Sequence, residues 1–188
     1  HRPSWADSAI SAASERQRAN LSASAQQLAQ DARAVWAKVL FPTPRQEEWK
    51  YTNPAAIADS AFALAPEAPA TLSEADVSRF DIPGLKANRI VFVDGAFLEP
   101  LSSLPSQKGV SCERIQSKQD LPLGALGAHK SEAFAALATA LMGDGVVLTV
   151  ASNVDVEAPL HIINIATKAG EQGVVAPRVF VDAAQSSR

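Results

Sequence analysis

The first part of the sequence carries a helical pattern of hydrophobic and polar positions. Between residues 21 and 40, apolar and alanine side chains recur at steps of three and four, which places them on one face of an amphipathic helix. These positions are Leu21, Ala25, Leu28, Ala32, Val35, Trp36 and Val39. The helix should end near Leu40, because Pro42 and Pro44 cannot continue it. Residues 4–20 also favour a helix, but most of them are small or polar, so we expect weak packing or fraying.

Short elements and a β-hairpin are predicted next. Residues 53–87 are rich in proline and alanine, and they predict a loop or linker around Pro66 and Pro69 with at most two short helices. Those helices are expected over residues 55–63 and 73–79. The hairpin follows, because two apolar runs flank the dipeptide Asp94-Gly95, which suits the positive φ angles of a type I′ turn.

β-forming residues dominate the last part of the chain. Of its 23 valines and isoleucines, 17 follow residue 88. Strands are predicted over residues 109–113, 146–151, 160–166 and 178–183. One helix interrupts them, beginning after Ser131 and ending with Gly143 as its C-cap. Three consecutive short strands at the end leave a sandwich, a barrel or a β-solenoid open.

Composition and charge narrow the class of protein. Alanine supplies 36 of the 188 residues, and the larger apolar residues suffice for one modest core. No apolar run reaches the length of a membrane span, and the net charge of −3 gives no reason to expect nucleic acid or an anionic membrane as partner. The chain begins at His1 and stops at Arg188 soon after a β-type run, so we expect a fragment of a longer soluble protein.

Few residues are candidates for catalysis. No P-loop is present, and Gly124 and Gly127 lack the strand and acidic partner of a dinucleotide site. Residues 109–113 end in glutamate where a nucleophile elbow needs glycine. The single cysteine, Cys112, is therefore interpreted as a small buried residue facing the same side as Val110.

The histidines and carboxylates give little support for a metal site or a catalytic site. None of His1, His129 and His161 stands at metal-ligand spacing, and His161 is interpreted as a structural residue sharing a strand face with Ile163 and Ile165. Four carboxylates near the β segments could bind calcium or act as acid and base: Asp144, Asp155, Glu157 and Asp182. Since Asp and Glu in turns and strand ends are usually solvated, an enzyme is disfavoured.

The most distinctive segment is 44–52, with the sequence PRQEEWKYT. Its tryptophan and tyrosine can bury large area while keeping a polar edge in water, and its arginine and glutamates can form ion pairs. Two interpretations are open. The segment is either a charged turn with two aromatic anchors, which the composition favours, or a recognition patch.

Six segments together resemble the amino-terminal half of the SufD members of the SufB/SufD family, which are scaffold proteins of iron–sulfur cluster assembly. They are 45–52 (RQEEWKYT), 88–97 (NRIVFVDGAF), 134–141 (FAALATAL), 144–145 (DG), 158–160 (APL) and 177–178 (PR). The resemblance covers about residues 40–188. It departs from the family at Ala138, where asparagine is common. The residues that carry it are assigned structural or interaction roles: Arg45, Glu48, Trp49, Lys50, Tyr51, Asp94, Gly95, Gly145, Pro159 and Arg178.

The resemblance implies an α+β architecture. An amino-terminal helical domain with a Pro/Ala-rich linker would span residues 1–87. Residues 88–143 would form a hairpin, a strand and a helix leading into the core. Residues 144–188 would begin a right-handed parallel β-helix that this chain leaves incomplete.

The resemblance also implies a role. The protein would be a non-ATPase, non-catalytic subunit of a cytoplasmic complex with SufB and SufC, or of a stromal one in a plastid. The complex builds an iron–sulfur cluster, but no cofactor, metal or catalytic residue is assigned to this fragment. We expect it to self-associate through the exposed edge of its β-helix. Two alternatives remain open, a β-helix enzyme acting on polysaccharide and a helical interaction module without a cluster role.

Overall fold

The computed structural model describes residues 2–118, 127, 132–168 and 171–188. The helices are α1 (Ser4–Asn20), α2 (Ala23–Trp36), α3 (Ala55–Ala58), α4 (Glu74–Ser78) and α5 (Ala133–Ala140). The strands are β1 (Ala63–Leu64), β2 (Asn88–Val93), β3 (Ala96–Phe97), β4 (Val110–Arg114), β5 (Gly145–Val150), β6 (Leu160–Ile165), β7 (Gly173–Val174) and β8 (Arg178–Ala183). Short 3-10 turns lie at Glu47–Trp49, Glu99–Leu101 and Ile115–Ser117. The fold is therefore α+β, as predicted.

The chain divides into two units, and each is discontinuous in sequence. The helical unit comprises His1–Ala65, Gln119–Gly143 and Gln172–Ala176. The β-rich unit comprises Pro66–Lys118, Asp144–Glu171 and Pro177–Arg188. The three-part division at residues 87 and 143 stays a prediction. No helix in the described ranges has the length and apolar character needed to cross a membrane.

The helical unit is built on α1, α2 and α5. The predicted helix over residues 21–40 is α2, whose N-cap Ser22 accepts a hydrogen bond from the Ala25 N–H at 3.4 Å. The core of the helical unit contains residues of α1, α2, α3 and α5, together with Phe41 after α2. They are Trp5, Ala6, Ala9, Ala13, Trp36, Phe41, Ala58, Ala133, Ala136, Leu137 and Leu141. Strands β1 and β7 pair in parallel within this unit.

Helix α1 does not pack weakly, which corrects the prediction. Trp5, Ala9 and Ala13 are buried along one face, and the small alanine side chains let neighbouring elements approach closely. Gln17 continues this face and is also buried. Its amide nitrogen donates to the carbonyls of Ala140 at 2.9 Å and Met142 at 2.7 Å, so a polar side chain satisfies the end of α5.

Two smaller predictions for the helices are corrected. The helix expected over residues 55–63 is a single turn, α3, which ends where Asp59 takes the C-cap position. Gly143 is not the C-cap of α5, because Leu141 holds that position in a right-handed conformation. The predicted start of this helix at Ser131 lies outside the described residues. The helix expected over residues 73–79 is α4, with Ser73 and Asp76 forming a capping box.

The β-rich unit contains two three-stranded sheets. The first has the order β3-β2-β6, with β2 antiparallel to β3 and parallel to β6. The second has the order β4-β5-β8, with β5 antiparallel to β4 and parallel to β8. The predicted hairpin is confirmed, since Asp94 and Gly95 have φ of 47° and 87°. The strands predicted from the apolar runs are confirmed as well.

Strand β2 is the centre of this unit because both of its faces are buried. Ile90 and Phe92 pack with Phe97 and Val146. Val91 and Val93 face the other way and pack with residues that include Val77 of α4 and Ile163 of β6: Val77, Ile163, Ala70, Leu72, Leu98, Leu101 and Ile165. A strand buried on two faces requires the continuous apolar run that its sequence shows.

Candidate functional site

The segment 45–52 lies on the surface of the helical unit. Consecutive tight turns shape it, with backbone hydrogen bonds from Trp49 N to Gln46 O at 3.0 Å and from Thr52 N to Trp49 O at 2.9 Å. Arg45 and Glu48 are both exposed. The segment therefore presents most of its polar side chains to solvent rather than to the core.

Trp49 anchors this segment. Its ring lies 5.3 Å from the ring of Phe134 in α5, measured between centroids. Tyr51 is 92% exposed, so the expectation of two aromatic anchors is wrong for this residue. The ammonium of Lys50 lies 5.5 Å from the Tyr51 ring centroid, a cation–π contact that leaves the hydroxyl in water. Tryptophan therefore faces the protein, and tyrosine faces outward.

Asp94 holds the hairpin turn of the β-rich unit in place. Its carboxylate is buried and accepts hydrogen bonds from the Thr167 N–H at 2.8 Å, the Thr167 hydroxyl at 2.7 Å and the Ala70 N–H at 3.4 Å. Burial raises the pKa of Asp94, but these hydrogen bonds outweigh burial and the pKa is lowered on balance. Asp94 is thus an ionised structural residue that links the hairpin turn to Thr167 and Ala70.

Asp144 is a second structural carboxylate within the same unit. Its carboxylate binds Arg114 at 2.7 Å, accepts from Phe97 N at 2.8 Å and accepts from the Gln116 amide at 3.0 Å. Arg114 also donates to the Phe97 carbonyl at 2.6 Å, and its guanidinium lies 4.9 Å from that ring's centroid. This carboxylate is therefore engaged in an ion pair and in hydrogen bonds with backbone and side-chain donors.

Gly145 is required where strands β5 and β8 meet. A Cβ atom at this position would overlap the carbonyl oxygen of Arg178 and lie 3.0 Å from its carbonyl carbon. Arg178 donates its backbone N–H to the Asp144 carbonyl at 3.0 Å, and burial lowers the pKa of its guanidinium. Pro159 precedes β6 as Asp144 precedes β5, and its carbonyl accepts a hydrogen bond from the Asn88 N–H at 2.9 Å. These residues fix the start of each parallel strand.

Arg89 is a structural residue that the sequence analysis missed. Its guanidinium pairs with Glu74 at 2.5 Å and Asp81 at 3.0 Å, and it donates to the Leu101 carbonyl at 3.2 Å. The hydrogen bond to Glu74 raises the pKa of Arg89 although burial opposes it. The sequence did contain a sign of this role, because Arg89 is a cation near the start of an otherwise apolar run and follows the acidic helix α4.

The remaining candidates for chemistry are dispersed. Cys112 lies in β4 and packs on the same side as Val110, as predicted; burial raises the pKa of its thiol, and Glu113 and Glu99 raise it further. His161 is half-buried in β6, while His1 and His129 lie outside the described residues.

The other three carboxylates do not form a group. Asp155, Glu157 and Asp182 are exposed, and within the described ranges no three His, Cys, Asp or Glu side chains are placed to hold a metal ion. The glycines Gly124 and Gly127 cannot be compared, since only Gly127 is described. The described residues therefore include paired and hydrogen-bonded charges in the β-rich unit and an exposed tyrosine in the segment 45–52 of the helical unit.

Most of the chain is similar in sequence to known proteins. A family model described as the SufBD protein N-terminal region matches residues 10–162. An iron-sulfur cluster assembly SufBD family protein of Synechocystis sp. is 27% identical over 161 residues. The alignment covers 81% of this chain but 35% of that relative, so the chain spans about a third of the length of the curated relative it matches.

Proposed function

The chain belongs to the SufB/SufD family, and we propose that it acts as a non-catalytic, SufD-type scaffold subunit in iron–sulfur cluster assembly. The observation that carries the proposal is the family-model match across residues 10–162. In this proposal SufB and SufC are the partners of the full-length protein. The iron–sulfur cluster is the cargo of that complex, which works in the cytoplasm or, in a photosynthetic eukaryote, in the plastid stroma.

The strand pairing supports a β-helix as the continuation of this fold. Strand β6 adds in parallel to β2, and β8 adds in parallel to β5, so the chain returns to each sheet in turn. A solenoid grows in this way, with each coil adding one strand to every sheet. We propose that these two pairs are the first coil contacts of a right-handed parallel β-helix.

The side chains support a role through protein contacts. Asp94, Asp144 and Arg89 all act within the frame, where their charges are paired or hydrogen-bonded. The family segment 45–52, in contrast, leaves Tyr51 almost fully exposed. A scaffold needs a rigid frame with exposed contact residues rather than a catalytic constellation.

The test uses the full-length protein that contains this chain. We expect it to co-purify with SufB and SufC of the same organism as one complex, and we expect its deletion to lower the activity of iron–sulfur enzymes in the cell. Complementation with the wild-type gene should restore that activity. If the complex forms but the deletion leaves the activity of iron–sulfur enzymes unchanged, an interaction module is favoured. Failure to form the complex would overturn the proposal. Release of reducing sugar from polysaccharide would favour the enzyme alternative.

A further inference from the structure

Exposed hydrophobic side chains are concentrated in one segment of the β-rich unit, residues 78–86. Every residue of this segment is exposed. Of the nine large hydrophobic side chains that the described residues expose, three lie here within six positions: Phe80 is 47% exposed, Ile82 52% and Leu85 43%. Single exposed apolar residues are common on proteins, whereas contiguous ones mark a surface that binds another molecule. The segment 78–86 is therefore a candidate contact surface.

Backbone hydrogen bonds hold these apolar residues in one short stretch. The Leu85 N–H donates to the Ile82 carbonyl at 3.1 Å and closes a tight turn, in which Gly84 has a φ of 79°. Such a bond brings the first and last residues of a turn close together. The Phe80 N–H donates to the Val77 carbonyl at 2.9 Å, directly after α4. The three side chains therefore belong to a folded stretch and not to a loose loop.

Buried and paired residues anchor this stretch to strand β2. Val77 of α4 is buried in the hydrophobic cluster that includes Val91 of β2. Asp81 lies between Phe80 and Ile82 in the sequence, and its carboxylate pairs with Arg89 of β2 at 3.0 Å. A surface that is already ordered loses less conformational entropy when a partner binds.

The carboxylates near this surface are occupied within the protein. Glu74 and Asp81 both pair with Arg89, at 2.5 and 3.0 Å. The carboxylate of Asp76 accepts hydrogen bonds from the Ser73 N–H at 2.9 Å and from the Ser73 hydroxyl at 2.6 Å in the capping box of α4. Each of these three carboxylates therefore already has a donor.

Neither cation of the segment forms an ion pair with a described residue. Arg79 and Lys86 stand just before and just after the apolar residues. The guanidinium carbon of Arg79 lies 5.7 Å from the centroid of the Phe80 ring, which places a positive charge over the apolar surface. An apolar surface with available cations at its edge is complementary to one that carries apolar side chains and carboxylates.

We propose that the segment 78–86 is a docking surface for an acidic, partly apolar peptide segment of a partner protein. The three apolar residues of the surface pack against apolar side chains of the partner, and the two cations pair with its carboxylates. A membrane fits less well, because Asp81 lies among the apolar residues with its side chain 44% exposed and would have to leave water. The surface goes beyond the proposed scaffold role and does not depend on it.

The experiment measures binding of two fluorescein-labelled dodecapeptides to this chain by fluorescence anisotropy. One peptide contains glutamate, leucine and phenylalanine, with two glutamates for each apolar residue, and the other has lysine in place of every glutamate. We expect the glutamate peptide to bind at least about tenfold more tightly than the lysine peptide. Its affinity should fall as the concentration of sodium chloride is raised.

Variants test the charged and the apolar part of the surface separately. The double variant Arg79→Glu, Lys86→Glu should prefer the lysine peptide, a reversal that a misfolded protein would not show. Ile82→Ser should weaken binding of the glutamate peptide about tenfold, because it removes an apolar contact. The matched controls are Lys108→Glu and Val181→Ser, which replace an exposed lysine and an exposed valine of the same unit and should keep the full affinity.

The outcomes separate this partner from other occupants. A reversed preference in the double variant, together with the loss in Ile82→Ser, supports the surface. Absence of binding, equal binding of the two peptides, an unchanged preference in the double variant or an equal loss in the controls overturns it.

Two further measurements identify the occupant if the peptides do not bind. Sedimentation with phosphatidylserine vesicles that is lost in Ile82→Ser would assign the surface to a membrane. Concentration-dependent association that is lost in Ile82→Ser, measured by light scattering, would assign it to a second copy of this chain. Either result without peptide binding overturns the proposal, and neither bears on binding to SufB or SufC.

Discussion

The carboxylate of Asp94 accepts two hydrogen bonds from one residue, Thr167, at 2.8 Å from its N–H and 2.7 Å from its hydroxyl. The pair joins the turn of the hairpin to the segment that follows β6. We expect Asp94→Ala to lower the free energy of unfolding by about 2–3 kcal/mol, because buried donors lose a charged acceptor. Thr167→Val should cost about 1 kcal/mol, since it removes the hydroxyl alone. Urea denaturation measures both.

Asp155 provides the control for this prediction. It is exposed, and its ion pair with Arg188 spans 3.9 Å. Asp155→Ala should change stability by less than about 0.5 kcal/mol. If Asp94→Ala and Asp155→Ala have the same urea midpoint, the structural role of Asp94 is wrong.

The same carboxylate predicts how stability depends on pH. Hydrogen bonds from Thr167 and Ala70 outweigh burial and hold the pKa of Asp94 below its unfolded value of about 3.9. The unfolded chain therefore binds more protons in acid, and the stabilisation is complete above that unfolded value and lost as pH falls through the folded one. Asp94→Asn should show a smaller loss of stability between pH 5 and the acid range, about pH 2–3. An unchanged acid slope in this variant would contradict the assignment.

Gly145 predicts a steric effect at the junction of β5 and β8. Gly145→Ala should cost about 2–3 kcal/mol, because the added methyl group overlaps the Arg178 carbonyl and forces the strands apart. Gly143→Ala is the matched control, since, apart from its two chain neighbours, no described residue places an atom within 4 Å of a Cβ built there. Thermal or urea unfolding compares the two. Similar stability of both variants would mean that the strands separate without cost.

The edge strand β8 predicts concentration-dependent association. It pairs with β5 alone in the described residues, and Val181 on it is more than half exposed. Unpaired strand edges template pairing with other chains. Val181→Lys should therefore lower the apparent mass at high protein concentration, measured by size-exclusion chromatography with light scattering.

Leu40→Lys tests whether that effect is general. Leu40 is also exposed, but it lies after α2 and not on a strand, so its replacement should leave association unchanged. A wild-type protein that stays monomeric throughout the concentration series would contradict the prediction.

Elements set by local sequence were predictable. The hairpin depends on two apolar runs and the Asp-Gly dipeptide between them, and both its strands and its turn are found where expected. Helix α2 was equally clear, because its apolar positions repeat at helical spacing. Such features need no knowledge of distant residues.

Contacts between distant residues were not predictable. Gln17 reads as polar, yet it belongs to the buried alanine face of α1 because its partners are carbonyls more than 120 positions later. Small side chains give a weak hydrophobic signal even when fully buried, which explains why the packing of α1 was underestimated. The outward position of Tyr51 was missed for a related reason, since an aromatic residue in a turn gives no sign of which side it faces.

The exposure of Tyr51 also provides a reporter that needs no engineering. The sequence contains one tyrosine, and it projects from the family segment into solvent. Nitration or iodination of the purified protein should therefore modify the ring of this one tyrosine and so label the surface of the segment 45–52. Protection of that label when a partner is added would locate the contact, and unaltered labelling would exclude the segment from it.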